Sequence, residues 1–194
     1  MKFKYPIGST PIDCNELKGL IPQYITTQEE LNDWESENIL QAELWVLKLK
    51  RKDIVSIDFI KELHEKMFDN TWSWAGKFRQ SAKNIGVHWS QIETQLKNLC
   101  DDVKFWIEHK TFSPDEIAIK FHYKLAAIHP FSNGNGRMAR LITNLLIVQL
   151  GGKKFSWGSH ENLTKSIPAR TQYIQALQLA DKDDCTKLLA FARS

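Results

Sequence analysis

Features that stabilise small secreted proteins or mark membrane proteins are scarce in this 194-residue chain. The three cysteines, Cys14, Cys100 and Cys185, are odd in number and form no Cys-x-x-Cys pair, so the sequence suggests neither a disulfide framework nor a zinc site. No apolar run approaches the roughly 18 residues of a membrane helix, and residues 1–10 lack the apolar core of a secretion signal. We therefore expect a cytoplasmic protein with no membrane partner.

An excess of charge of one sign is also missing. The 26 basic and 23 acidic side chains give a net charge of +3, and most charges alternate along helical stretches. A nucleic-acid-binding surface requires clustered basic residues with interleaved aromatics, and only residues 48–52 approach this pattern. We expect no direct nucleic-acid binding. The chain also lacks internal repeats, and its 42% hydrophobic content is typical of one globular domain.

Hydrophobic periodicity and capping signals predict an all-α protein. Thr27 and Glu30 form a capping box before a helix at about 28–50, and Ser113-Pro114 begins another at about 114–128. The other predicted helices cover residues 56–69, 91–109, 136–150, 162–181 and 184–192, with Pro168 kinking or restarting the helix over 162–181. Residues 1–25 have three prolines and no sustained period, which predicts an N-terminal arm before a single domain at 26–194.

One segment breaks the helical pattern. Residues 77–90 place glycine and asparagine between β-prone residues, so we predict a short β-hairpin there.

The strongest motif combines a base, a glycine-rich turn and two arginines immediately before a helix. His129 can take a proton from a hydroxyl near neutral pH. Gly134 and Gly136 allow a tight turn that aims backbone N–H groups at an anion. Arg137 and Arg140 are three residues apart and share a helix face, and the helix start adds partial positive charge. The segment therefore predicts a binding site for a di- or triphosphate.

Residues 129–140 read His-Pro-Phe-Ser-Asn-Gly-Asn-Gly-Arg-Met-Ala-Arg. This segment resembles the signature of the Fic family, His-Pro-Phe-x-Asp/Glu-Gly-Asn-Gly-Arg-x-x-Arg, whose members usually transfer AMP from ATP to a protein hydroxyl. The fixed positions that agree are His129, Pro130, Phe131, Gly134, Asn135, Gly136, Arg137 and Arg140. The resemblance implies a Fic-type helical bundle with a small β-hairpin flap beside the active-site loop. It also implies ATP as substrate, Mg²⁺ as cofactor, a target protein bearing a Ser, Thr or Tyr hydroxyl, self-modification and homodimerisation.

The same resemblance assigns roles to individual residues. His129 would be the catalytic base, Gly134, Asn135 and Gly136 the cradle for the α- and β-phosphates, Arg137 the partner of the β-phosphate and Arg140 that of the γ-phosphate. The hairpin would be the flap that docks the target through Asn84, Ile85, Gly86 and His88, although a turn that merely covers the core is the alternative. Tyr173 and Leu177 would line the nucleoside pocket, and core packing explains them equally well.

Asn133 departs from the signature, because the family has a metal-binding carboxylate there. An amide oxygen is a weaker ligand for Mg²⁺. Either Mg²⁺ still binds, mainly through the phosphates with Asn133 assisting, or the domain is a weak or inactive nucleotide-binding regulatory module. We favour the first, because a branch called mobile mystery protein B also reads Asn-Gly-Asn-Gly-Arg. Gly136 replaces the lysine of the phosphorylating branch, which favours AMP transfer, while UMP and phosphocholine transfer stay alternatives.

A helix with the pattern Ser/Thr-x-x-x-Glu-Gly/Asn restrains many Fic proteins, because its glutamate pairs with the second arginine of the signature. Glu37-Asn38 fits this pattern, but Asp33 replaces the hydroxyl residue. The resemblance therefore makes Glu37 a predicted inhibitory residue in the helix at 26–50, facing Arg140. A solvated acid on an amphipathic helix is the alternative.

Overall fold

The computed structural model describes residues 11–49, 53–158, 167–181 and 184–194. Within these ranges the chain is helical, as predicted, and a short 3-10 turn at Trp89–Gln91 precedes α4. The helices are α1 (Cys14–Leu17), α2 (Gln28–Leu47), α3 (Ile57–Phe68), α4 (Ile92–Glu108), α5 (Pro114–Ile128), α6 (Asn135–Gln149), α7 (Ile167–Ala180) and α8 (Thr186–Arg193). None of the helices in the described residues is both long enough and apolar enough to cross a membrane.

Capping side chains determine where the helices begin. At α2, the Thr27 hydroxyl accepts the Glu30 N–H at 3.2 Å, and the Glu30 carboxylate accepts the Thr27 N–H at 2.9 Å. Ser113 and Glu116 form the same reciprocal pair at α5. The sequence predicted an arm over residues 1–25 and not the helix α1, because a four-residue helix is too short to show a hydrophobic period. Pro168 lies in the first turn of α7, where its missing N–H costs nothing, while residues 162–166 of the predicted helix lie outside the described residues.

Two clusters of buried side chains form the core. The larger cluster contains side chains from each of the helices α2, α3, α4, α5 and α6. Its largest fully buried members include Phe59, Phe68 and Trp72. The second joins α5 and α6 to α7 and α8. The α5–loop–α6 unit belongs to both clusters, so the segment that carries the signature motif is packed from two sides.

The β-hairpin predicted for residues 77–90 is wrong. The described residues contain one isolated bridge, between Leu20 and Trp72, and the predicted segment is a loop followed by the 3-10 turn. The Arg79 guanidinium bonds carbonyls on both sides of the loop, and the N–H groups of Arg79 and Val87 donate to carbonyls of the neighbouring segment at 128–130. Because these backbone N–H and carbonyl groups of the loop bond to Arg79 and to residues 128–130, they do not pair with each other in a cross-strand ladder.

Candidate active site

The first site residue follows α5 directly. His129 has φ 55 and ψ 61, the left-handed conformation that ends the helix. Burial and the charges of Arg79 and Lys83 together lower the pKa of His129 to about 4, while a hydrogen bond with the Ala126 backbone acts in the opposite direction. The imidazole is therefore neutral near pH 7, which is the form that can accept a proton.

The loop after His129 is closed by the side chain of Asn135. Its amide oxygen accepts the Phe131 N–H at 2.9 Å, and its amide N–H donates to the Phe131 carbonyl at 2.8 Å. Asn135 therefore shapes the loop with its side chain, while its backbone lies in the first turn of α6.

Glycine is required where α6 begins. Gly134 is the N-cap with φ 78, and a Cβ there would lie 2.4 Å from the Phe68 ring. The first bond of the helix runs from the Met138 N–H to the Gly134 carbonyl at 3.0 Å. The N–H groups of Asn135 and Gly136 precede that bond, so they are oriented toward the helix N-terminus, where an anion is stabilised.

His64, on α3, contacts residues of the loop between α5 and α6 and holds them in place. Burial lowers the pKa of His64 to about 3, so the ring is neutral. Its Nδ1 accepts the Gly76 N–H at 3.0 Å, so Nε2 carries the proton and donates to the Asn133 carbonyl at 3.0 Å. The ring also stacks on Phe131 with centroids 3.7 Å apart. We assigned His64 no role from sequence, although a polar residue on the buried face of α3 was a usable signal.

The two arginines of the motif lie on aromatic rings. Arg137 lies over Phe68 at 4.9 Å, and Arg140 over Tyr173 at 5.4 Å. The Tyr173 hydroxyl contacts Arg140 and is 2.9 Å from Nε2 of the buried His122.

A third arginine, on α7, adds positive charge to the same region. Burial lowers the pKa of Arg170, and the positive charges of Arg140 and Arg137 lower it further. Three cations that repel one another favour binding of a polyanion, and we had not included Arg170 in the predicted site.

A buried carboxylate from α2 lies against one arginine of the motif. Glu35 is 2% exposed, and one carboxylate oxygen accepts from Arg137 Nη1 at 2.6 Å. The other oxygen accepts from Trp72 Nε1 at 2.7 Å and from Asn133 Nδ2 at 3.3 Å. Glu35 thus occupies the guanidinium that an incoming phosphate would need.

The prediction that Glu37 faces Arg140 is wrong. Glu37 is exposed, and its carboxylate accepts from Gln41 on the same helix at 2.9 Å. Glu35 lies four residues after the buried Leu31 and three before the buried Asn38, so the inward face of α2 presents Glu35.

Asn133 offers little to a metal ion. Its amide oxygen accepts the Gly134 N–H at 2.8 Å, which leaves one lone pair. Within the part of the chain that is described, no group of three His, Cys, Asp or Glu side chains could hold a metal ion. Asn133 therefore fits an assisting ligand for a Mg²⁺ that phosphates hold, and no more than that.

The remaining predicted residues divide between the site and the core. Asn84, Ile85, Gly86 and His88 are exposed on one loop, and a Cβ on Gly86 would lie 2.7 Å from the Cβ of His129. Tyr173 lies beside Gly136, since a Cβ there would be 3.8 Å from the Tyr173 hydroxyl. Leu177 packs partly buried against the second core cluster.

Comparisons with known proteins identify the family and the fold of the chain. Residues 54–147 match the model of the Fic/DOC family. Protein adenylyltransferase fic-1 of Caenorhabditis elegans is 32% identical over 143 residues, which are 70% of this chain and 26% of that protein. The structure of Fic-1 (aa134–508) from C. elegans superposes with a TM-score of 0.68 at 27% identity, covering 92% of this chain and 52% of that one.

A second solved structure shares the fold at lower identity. BepC from Bartonella tribocorum, with bound AMPPNP, has a TM-score of 0.67 at 16% identity and covers 93% of this chain and 97% of that chain. The chain spans about a quarter of the length of the curated relatives it matches.

Proposed function

Since the chain belongs to the Fic/DOC family, we propose that it transfers AMP from ATP to a Ser, Thr or Tyr hydroxyl of a protein. The observation that carries this proposal is a neutral imidazole, His129, one short loop before a helix start that carries two arginines. The curated relatives are named protein adenylyltransferases, which supports the same reaction. The assignment to the mobile mystery protein B branch stays a prediction.

In the proposed reaction, His129 accepts the proton of the target hydroxyl. The oxygen forms a bond with the α-phosphorus of ATP while the bond between that phosphorus and the β-phosphate oxygen breaks, and pyrophosphate leaves. The N–H groups at the start of α6 would stabilise charge on the α-phosphate. Arg137 and Arg140 would hold the β- and γ-phosphates, and self-modification would follow the same chemistry.

The docking of the target is part of the same proposal. Asn84, Ile85, Gly86 and His88 are exposed on the loop whose Gly86 lies beside His129, so a target segment laid along this loop would present its hydroxyl to the imidazole. Without a preformed strand, the loop would bind the segment through its exposed side chains rather than by extending a sheet.

The site also carries its own restraint in this proposal. Glu35, rather than Glu37, would inhibit AMP transfer, because its carboxylate competes with the nucleotide for Arg137. Homodimerisation stays a prediction from the family resemblance.

Mg²⁺ would neutralise charge on the phosphates during transfer, and Asn133 would assist it. We expect the change Asn133→Asp to raise Mg²⁺-dependent AMP transfer by roughly tenfold, because a carboxylate is a stronger ligand than an amide. Initial rates measured against Mg²⁺ concentration, in the Glu35→Gly parent, check this. An unchanged or lower rate at every Mg²⁺ concentration contradicts the role of Asn133 as the weakened ligand.

Intact-mass spectrometry tests the function directly. The wild-type chain and its Glu35→Gly variant are incubated with ATP, UTP or CDP-choline in the presence of Mg²⁺ and candidate target protein. We expect a gain of one adenylate mass with ATP alone, on the chain itself or on the target. Binding of ATP with no covalent product identifies the nucleotide-binding module, and a uridylate or phosphocholine mass identifies one of the other transfers.

A further inference from the structure

Arg79 is a deeply buried cation, 3% exposed, whose guanidinium bonds three backbone carbonyls. Its Nε donates to the His129 carbonyl at 2.7 Å. Its Nη1 donates to the Ser81 carbonyl at 2.8 Å, and its Nη2 to the Val87 carbonyl at 2.5 Å. One side chain therefore links the predicted base to both sides of the loop formed by residues 80–88, which we call the docking loop.

The His129 carbonyl needs such a partner. A left-handed conformation is unfavourable for a residue other than glycine, so neighbouring groups must hold it. The charge-assisted bond from Arg79 fixes the direction of this carbonyl, and hence the ψ angle of His129. The Arg79 N–H also donates to the Pro130 carbonyl at 3.0 Å, so both the backbone and the side chain of Arg79 hold this turn.

The docking loop is fitted tightly around the same guanidinium. A Cβ on Gly86 would lie 2.7 Å from Arg79 Nη2 and 2.7 Å from the His129 Cβ. The outer side of the loop is tied to α1, because Glu16 accepts from the Ser81 hydroxyl at 2.9 Å and forms a salt bridge with Lys83. The guanidinium therefore sets the distance between the loop tip and the imidazole.

We propose that Arg79 is a positioning residue for AMP transfer: by holding the His129 carbonyl and both sides of the docking loop, it keeps the base and the target at a fixed separation. This inference rests on the proposed function. Arg79 lies among carbonyls rather than in the arginine cluster, so we assign it no contact with ATP.

The test compares Arg79→Lys and Arg79→Ala in the full-length Glu35→Gly parent. A lysine cannot bond three separated carbonyls at once, so we expect kcat to fall about 100-fold in either variant while KM for ATP changes less than about twofold. Arg193→Ala is the matched control. Arg193 also donates to two backbone carbonyls, those of Lys153 and Lys154, but does so on α8, so its loss should leave kcat unchanged.

Two further measurements separate positioning from simple destabilisation. Guanidinium at low millimolar concentration should restore part of kcat in Arg79→Ala, while urea at the same concentration should not. The acid limb of kcat/KM should move to higher pH in Arg79→Ala, because the Arg79 charge lowers the pKa of His129, with Lys83 as the other facing charge. If Arg79→Ala does not fold, Arg79→Lys carries the test through the kcat and KM values.

The positioning role is overturned if Arg79→Lys has the same kcat as the Glu35→Gly parent. It is also overturned if Arg193→Ala lowers kcat as much as Arg79→Lys does while the two variants have equal thermal stability. If the parent adds no adenylate to any protein, the proposed function fails instead. The contact of Arg79 with His129 is then tested by NMR, where the pKa of the His129 imidazole should rise in Arg79→Ala, which removes the charge, whatever reaction the site performs. An unmoved His129 titration in that measurement also overturns the inference.

Discussion

Replacing Glu35 with glycine is expected to raise AMP transfer by roughly 10- to 100-fold at limiting ATP, since a site that is closed 90–99% of the time loses that factor in apparent affinity. Glu35 is buried and holds Arg137 at 2.6 Å, so ATP must break this pair before its phosphates reach the guanidinium. ATP affinity measured by calorimetry and initial rates of adenylate incorporation check the prediction.

Glu37 provides the matched control on the same helix. Glu37→Gly removes the same side chain from an exposed position and makes a similar change in helix propensity, so it should leave the rate unchanged. Glu35→Gln separates charge from shape, because the amide oxygen can still accept the Trp72 N–H while the ion pair is lost. Equal rates in the wild-type chain, Glu35→Gly and Glu35→Gln would refute the inhibitory role, and a gain in Glu37→Gly alone would restore the motif-based assignment.

His129→Ala is expected to lower AMP transfer by about 10²- to 10⁴-fold, the usual contribution of a positioned general base. ATP binding should persist, because the predicted phosphate partners Arg137 and Arg140 are retained. In the Glu35→Gly parent, the rate should stay nearly constant from pH 8 downward and fall as the pH approaches about 4, where the imidazole takes up a proton. Initial rates over this range, with calorimetric ATP binding at pH 7.5, check both statements.

His109→Ala serves as the control, because His109 is an exposed histidine at the end of α4. It should leave both the rate and the pH profile unchanged. A His129→Ala variant that retains most of its activity would remove His129 as the base. A lost capacity to bind ATP would show instead that His129 maintains the shape of the site.

Periodicity and capping predicted most of the helices to within a few residues, because both signals are local. The Thr27–Glu30 and Ser113–Glu116 pairs form at the predicted helix starts. The same periodicity identifies the inward face of α2, on which Leu31, Glu35 and Asn38 fall. Alignment to a short motif favoured Glu37 instead. On an amphipathic helix, the angular position of a residue decides which carboxylate reaches the site.

The hydrogen bonds that the sequence could not predict join residues far apart in the chain. The His129 carbonyl that the Arg79 guanidinium bonds lies 50 positions away, so nothing local indicated that a guanidinium would replace a hairpin ladder. His64 similarly joins α3 to the carbonyl of Asn133, 69 positions later. The signature motif itself could be recognised because its histidine, glycines and arginines are close together in the sequence, whereas the groups that hold it in place come from distant parts of the chain.

The contact between Glu35 and Arg137 joins two residues of one polypeptide, 102 positions apart. Under the proposed inhibition by Glu35, every molecule would carry its inhibitor at a stoichiometry of one to one, and neither dilution nor a change in expression level would alter the resting activity. A restraint of this kind can be relieved only by a nucleotide concentration that outcompetes the carboxylate, or by a binding event that draws the helix away from the domain.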